Sequence, residues 1–233
     1  RYCFYFDVAN HREVKTYEIM NEDTMYTCID KALALAEDAH ISFAFQGGEP
    51  TMAGLAYFTS FCEYVEKHKT KQTIQYAIQT NGININDAWC ELFQKYSFLV
   101  GVSLDGYKEI HDYHRLNLKL QGTYKTVENN IRLLRKYNIP FNILTVLTSQ
   151  LARYPEKLFR FYQQHHFSYV QLIPCLPGLE EAQSAYSLQP KEFASFYKRF
   201  FDLWVQEFKK GNYISVTLFD NVIPMLKGKR PQQ

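Results

Sequence analysis

Short runs dominated by apolar, β-branched and aromatic residues recur along the chain at 41–45, 74–78, 98–104, 141–147 and 169–173. Between and around them lie stretches with apolar residues at three- and four-residue spacing, at 24–37, 55–68, 86–96, 124–138, 155–165 and 190–210. The first set predicts five strands, and the second predicts helices such that every strand is followed by one. Strands apolar on both faces, alternating with helices, imply an α/β fold with a parallel sheet and right-handed crossovers. The sheet is either closed or partly closed as a (β/α) barrel, or open and doubly wound. Both architectures place their sites at the C-terminal ends of the strands.

Polar groups and glycines collect at those ends. The first strand leads into Gln46-Gly47-Gly48-Glu49-Pro50, the second into Gln79-Thr80-Asn81-Gly82, and the third into Ser103-Leu104-Asp105-Gly106. The fourth ends in Thr148-Ser149 and the fifth in Pro174-Cys175-Leu176-Pro177-Gly178. No internal repeat or low-complexity linker interrupts the pattern. The abrupt start at Arg1 and a helix pattern at 24 with no strand before it predict that residues precede this chain, and the basic, polar residues 227–233 read as an exit from the domain.

Composition narrows the function. With 46% hydrophobic residues among 233, the chain can bury a core, which excludes disorder. Its 26 basic and 24 acidic residues are interspersed and give +2, so no field points to nucleic acid or an anionic membrane. No apolar run approaches the roughly 18 residues that span a bilayer, and no signal peptide opens the chain, which predicts a cytoplasmic protein without nucleic-acid or membrane partners. The five cysteines are odd in number and widely spaced, against a disulfide framework. Cys28, Cys62 and Cys90 fall in helical patterns and read as small buried residues, and Cys175, with no acid–base partner nearby, reads as a buried thiol. The 18 Tyr and 18 Phe fall at helix or strand spacing, as core packing does.

Two segments then carry a resemblance. Tyr2-Cys3-Phe4-Tyr5 resembles the end of the Cys-x-x-x-Cys-x-Tyr-Cys-Phe-Tyr loop of radical S-adenosylmethionine (SAM) enzymes, and Gly47-Gly48-Glu49-Pro50 resembles their second hallmark. Gln79-Thr80-Asn81-Gly82, the run Gly101-Val102-Ser103-Leu104-Asp105-Gly106 followed by His111 and Arg115, and Phe141-Asn142-Ile143-Leu144 are similar to one branch, the anaerobic sulfatase-maturating enzymes. The similarity runs in order through essentially the whole chain. It implies the partial (β/α) barrel of that class with its first strand missing, residues 1–233 forming the radical SAM core, and a cysteine-rich SPASM domain beyond it.

The resemblance also implies the chemistry. Three thiolates hold a [4Fe-4S] cluster and leave one iron open to SAM; of the three, only Cys3 is present here. Positions matching Tyr2, Gly47, Gly48, Glu49, Ser103, Arg115 and Leu176 contact SAM, and those matching Tyr5 and Gln46 line the substrate cavity. Glycines let backbone carbonyls approach the methionyl amine, while Glu49 and Pro50 fix the turn. Arg115 is suited to the methionyl carboxylate, the alternative being a solvated surface ion pair. One electron from a donor such as flavodoxin or ferredoxin cleaves SAM. The resulting 5′-deoxyadenosyl radical takes hydrogen from the β-carbon of a cysteine or serine in an unfolded sulfatase segment, giving Cα-formylglycine. In the family the base is an aspartate of the SPASM domain, which also binds two auxiliary [4Fe-4S] clusters. No carboxylate here matches that base, so this chain alone is not expected to turn over.

Other readings of the same residues stand beside this one. The barrel motifs are shared by radical SAM enzymes that crosslink ribosomal peptides, and a barrel binding peptide or nucleotide without a cluster is a third reading. Asp105 and Asn81, each beside a glycine, read as turn formers. His111 and His114 read as loop or phosphate-like polar contacts, and His165-His166 as a favourable charge at a helix end.

Overall fold

The computed structural model describes residues 2, 11–13, 18–178 and 184–228. Strands and helices follow one another in the expected alternation. They are α1 (Glu22–Leu33), β1 (His40–Phe45), a 3-10 turn (Pro50–Ala53), α2 (Leu55–His68), β2 (Thr73–Thr80), α3 (Asp87–Lys95), β3 (Leu99–Ser103) and α4 (Lys108–His114). There follow α5 (Tyr124–Lys136), β4 (Phe141–Leu147), α6 (Ser149–Ala152), α7 (Pro155–Gln164), β5 (Tyr169–Pro174), α8 (Pro190–Lys209), β6 (Ser215–Val216) and α9 (Thr217–Leu226).

The strands follow chain order in one sheet, β1-β2-β3-β4-β5-β6, with β1–β2, β4–β5 and β5–β6 parallel. A doubly wound sheet reverses its strand order at a switch point; this order never reverses, so the barrel-type winding is the one realised. The five strands read from the sequence are all present. β6 and α9 are additional, and so are the short helices α4 and α6.

Two compact units divide the chain, one formed by Tyr5–Gly101 with Glu128–Phe141, the other by Arg1–Phe4, Val102–Val127 and Asn142–Gln233. In the first, Asn21 caps α1 by accepting from Thr24 N at 2.8 Å, which starts that helix two residues before the apolar pattern does. Its buried stripe is Met25, Ile29 and Leu33. Cys28 lies off that stripe and is exposed, so its reading as a buried residue is corrected; Cys62 and Cys90 are buried as expected. Phe43 and Phe45 of β1 meet Phe61 of α2 edge-on, with centroids 5.0 and 4.9 Å apart.

In the second unit, Phe159 of α7 packs edge-on against Phe200 of α8 at 5.2 Å. The buried Tyr162 hydroxyl donates to Thr145 Oγ1 at 2.7 Å, and Thr145 donates to Leu104 O at 2.7 Å, so one chain of bonds pins helix α7 to β4 and to the residue that follows β3. Trp204 donates to Ile214 O at 2.7 Å, which holds the start of the short β6 against α8.

Candidate cofactor and peptide site

At the end of β1, Gly47 and Gly48 take φ values of 97° and 59°, a region that penalises any residue with a side chain. A Cβ built on Gly48 meets nothing within 4 Å, so its backbone borders open space. Glu49 follows and caps the 3-10 turn. Its Oε1 accepts from Thr51 N at 3.2 Å, Thr51 Oγ1 at 2.7 Å and Thr80 Oγ1 at 2.7 Å; its Oε2 accepts from Asn81 N at 2.6 Å. One carboxylate thus ties the glycine strip to the end of β2. Asn81 Oδ1 accepts from Ile83 N at 2.9 Å, the turn-forming role read from the sequence. Gln46, the residue before Gly47, is exposed.

The other unit builds its site around Asp105, just past Ser103 at the end of β3. The Asp105 side chain is fully buried and paired with Arg115, whose side chain is 22% exposed. Arg115 Nε donates to Oδ2 at 2.7 Å and Nη2 to Oδ1 at 3.3 Å, a bidentate fork. Val146 N donates to Oδ1 at 3.0 Å, and the Tyr2 hydroxyl donates to Oδ2. The Arg115 guanidinium carbon lies 5.8 Å from the centroid of the Tyr2 ring, which sits 4.8 Å from that of His114. Two residues from distant parts of the sequence, Tyr2 and Arg115, are therefore brought to one buried carboxylate.

Asp105 is the residue that sequence reasoning passed over, because an Asp-Gly pair is an ordinary turn. Arg115 is in turn no solvated surface pair. His111 and His114 are corrected too: both are buried on α4, not set in a loop. His111 is pushed down to about 4, mainly by burial, so its ring is neutral near pH 7. Ser103 is half-buried at the strand end. Leu176 is 70% exposed beside the buried Cys175, whose thiol is pushed up by that burial. Cys3 and Tyr5 lie outside the described residues. Among the described residues no three His, Cys, Asp or Glu side chains converge to hold a metal, and no helix is long and apolar enough to cross a membrane.

Glu49 and Asp105 each accept four hydrogen bonds, about the capacity of an ionised carboxylate. Both are fixed as acceptors that hold shape. Neither is arranged to take a proton from a ligand.

The family model of the radical SAM superfamily matches residues 1–162. The chain belongs to the radical SAM superfamily. Within it, the chain is 38% identical over 234 residues to a cysteine-type anaerobic sulfatase-maturating enzyme of Clostridium novyi, covering 99% of this chain and 62% of the relative. A cysteine-type enzyme of Clostridium perfringens is 40% identical over 232 residues, covering 98% and 62%. A serine-type enzyme of Bacteroides thetaiotaomicron is 28% identical over 246 residues, covering 99% and 59%. The solved structure of native anSMEcpe with bound AdoMet and Kp18Cys peptide superposes with a TM-score of 0.92 at 37% identity, covering all of this chain and 63% of that one. The chain therefore spans about three-fifths of the length of these curated relatives. SuiB of Streptococcus suis, at 15% identity and a TM-score of 0.64, shares the superfamily fold.

Proposed function

We propose that this chain is the radical SAM core of a cysteine-type anaerobic sulfatase-maturating enzyme, which oxidises a cysteine of an unfolded sulfatase segment to Cα-formylglycine. The observation that carries the reading is the gradient of identity, 38–40% to cysteine-type relatives against 26–28% to serine-type ones. In this reading residues 1–233 are the core domain, Cys3 is a thiolate ligand of a [4Fe-4S] cluster, and SAM is the ligand of the strand-end residues.

The residues present suit SAM. Gly48 leaves open space where a side chain would stand, and Arg115 is a cation held rigidly but still reachable. When bound, cluster and SAM together supply the one-electron cleavage that yields a hydrogen-abstracting radical. Gly47 and Gly48 offer backbone carbonyls to the methionyl amine, and Glu49 keeps that strip in its turned shape through its four bonds. Arg115, docked on Asp105 through Nε and Nη2, presents the rest of its guanidinium to the methionyl carboxylate. Ser103 offers a hydroxyl, Tyr2 a ring held by its own bond to Asp105, and Leu176 an exposed apolar surface for the adenine. Gln46 and Tyr5 hold the peptide segment. Glu49 and Asp105 are each held by four donors, and in this reading removal of the substrate proton is the task of the SPASM-domain aspartate that the resemblance implies. The auxiliary clusters and a flavodoxin or ferredoxin donor belong to the same reading of the full-length enzyme.

The test is turnover of paired peptides. Full-length protein, incubated anaerobically with SAM and a reductant, is expected to convert a Cys-x-Pro-x-Arg peptide to the aldehyde by mass spectrometry, well ahead of its serine counterpart. Equal conversion of both would remove the cysteine-type assignment, and conversion of neither would remove sulfatase maturation.

A further inference from the structure

Four residues of the Asp105 unit form a closed ring of hydrogen bonds. The Asp105 backbone N–H donates to His111 Nδ1 at 3.2 Å, so Nδ1 must be the lone-pair nitrogen. The neutral ring then carries its proton on Nε2, which lies 3.0 Å from Thr123 Oγ1 and donates to it. Thr123 has one hydroxyl proton of its own, and that proton goes to Arg115 O at 3.1 Å. Arg115 closes the ring by donating its side chain to the Asp105 carboxylate. Each direction is forced by the one before it. A backbone N–H can only donate, a neutral imidazole that accepts at one nitrogen must donate at the other, and a carbonyl can only accept.

The ring is buried where it matters. His111 and the Asp105 side chain are 0% exposed and Thr123 is 4% exposed. Arg115 is the residue that ends helix α4, and its backbone N–H donates to His111 O at 2.8 Å, the last main-chain bond of that turn. Its backbone position is therefore set from the same ring that receives its side chain, so the direction of the guanidinium is fixed from both ends.

We infer that His111 is a positioning residue, which acts through Thr123 and the Asp105 backbone to hold Arg115 docked on the Asp105 carboxylate. The inference deepens the proposed function, because the use of a fixed Arg115 rests on its reading as the anchor of the methionyl carboxylate. His111 is 0% exposed, so its role runs through these bonds.

The test separates the two layers. In the full-length holoprotein, labelled at arginine, hydrogen exchange of the Arg115 Nε–H is followed by nuclear magnetic resonance, and SAM affinity is measured by anaerobic equilibrium dialysis. His111→Phe keeps an aromatic ring, somewhat larger than the imidazole, and removes both bonds. Thr123→Val keeps the shape of the threonine and breaks its two links, to His111 Nε2 and to Arg115 O, which keeps the test available where the buried His111→Phe fails to fold. Both are expected to speed Nε–H exchange and raise the Kd for SAM by about tenfold, the effect of losing roughly one net hydrogen bond. Thr123→Ser, which retains the hydroxyl, is expected to restore wild-type values. In an Arg115→Ala background neither substitution weakens SAM binding further. Wild-type exchange in folded Thr123→Val or His111→Phe would overturn the inference. Faster exchange combined with a SAM affinity indifferent to Arg115→Ala would leave the positioning role standing and remove Arg115 as the cofactor anchor.

Discussion

Glu49 Oε1 accepts the Thr80 hydroxyl at 2.7 Å, a bond that joins the turn after β1 to the end of β2 across 31 positions of sequence. The same carboxylate accepts the Asn81 N–H at 2.6 Å, so the glycine strip is held by charge-assisted bonds to a neighbouring strand end. Glu49→Gln places an amide where one of these donors already points. It is expected to lower stability by about 1–3 kcal/mol in denaturant unfolding and to weaken SAM binding. Retention of both values would show that the strip keeps its shape without this tie.

Asp105 carries a buried pair, and removing one partner leaves the other uncompensated. Asp105→Ala strands the Arg115 charge and the Val146 N–H, with an expected loss of about 3 kcal/mol in the unfolding free energy. The double change Asp105→Leu with Arg115→Met removes both charges and is expected to recover most of that loss while SAM binding stays weak. Recovery of binding along with stability would place the carboxylate anchor elsewhere.

The buried imidazole gives a pH signature. Burial is the main cause that lowers His111 from 6.5 to about 4; the nearby Asp105 and Asp112 oppose the shift, and Arg115 and His114 reinforce it. Between those values the unfolded chain binds a proton that the folded chain does not. Stability from this group is therefore complete above 6.5 and is lost as pH falls towards 4, by about 3 kcal/mol in all. Unfolding free energies measured across that window are expected to vary less steeply in His111→Phe than in the wild type. An unchanged slope would assign the acid sensitivity to other groups.

Thiol reactivity should follow burial. Cys28 is exposed, whereas burial first, and the neighbouring Glu66 next, pushes Cys62 up to about 12, and burial pushes Cys90 up to about 11. Alkylation at about pH 8 followed by peptide mapping is expected to label Cys28 about a hundredfold faster than Cys62 or Cys90. Comparable rates for all three would show that α2 and α3 open readily in the folded protein.

The strands were legible because each is a short apolar run ended by glycine and polar residues, and the helices because their apolar spacing holds over several turns. The two-residue β6 is too short to carry a pattern, and α9 contains Pro224, which reads as a helix breaker. Residues 108–114 make one short helix, with no room for a periodic signal, so His111 and His114 read as a loop. The glycine strip and Arg115 were visible as motifs. The role of Asp105 was not, because it depends on Tyr2 lying 103 positions away and on a Val146 N–H from β4, both of which only the folded chain assembles. Cys28 was misplaced for a simpler reason: it sits one position before Ile29, off the stripe of Met25, Ile29 and Leu33.

Everything proposed for the strand-end residues depends on a SAM-binding iron–sulfur cluster held through Cys3. That cluster is best sought by anaerobic electron paramagnetic resonance of the reduced full-length protein, with and without SAM, beside a Cys3→Ala variant analysed for iron and sulfide. The expected result is a four-iron signal that SAM perturbs and the substitution abolishes. An iron-free protein, or a cluster indifferent to both SAM and Cys3, would contradict it.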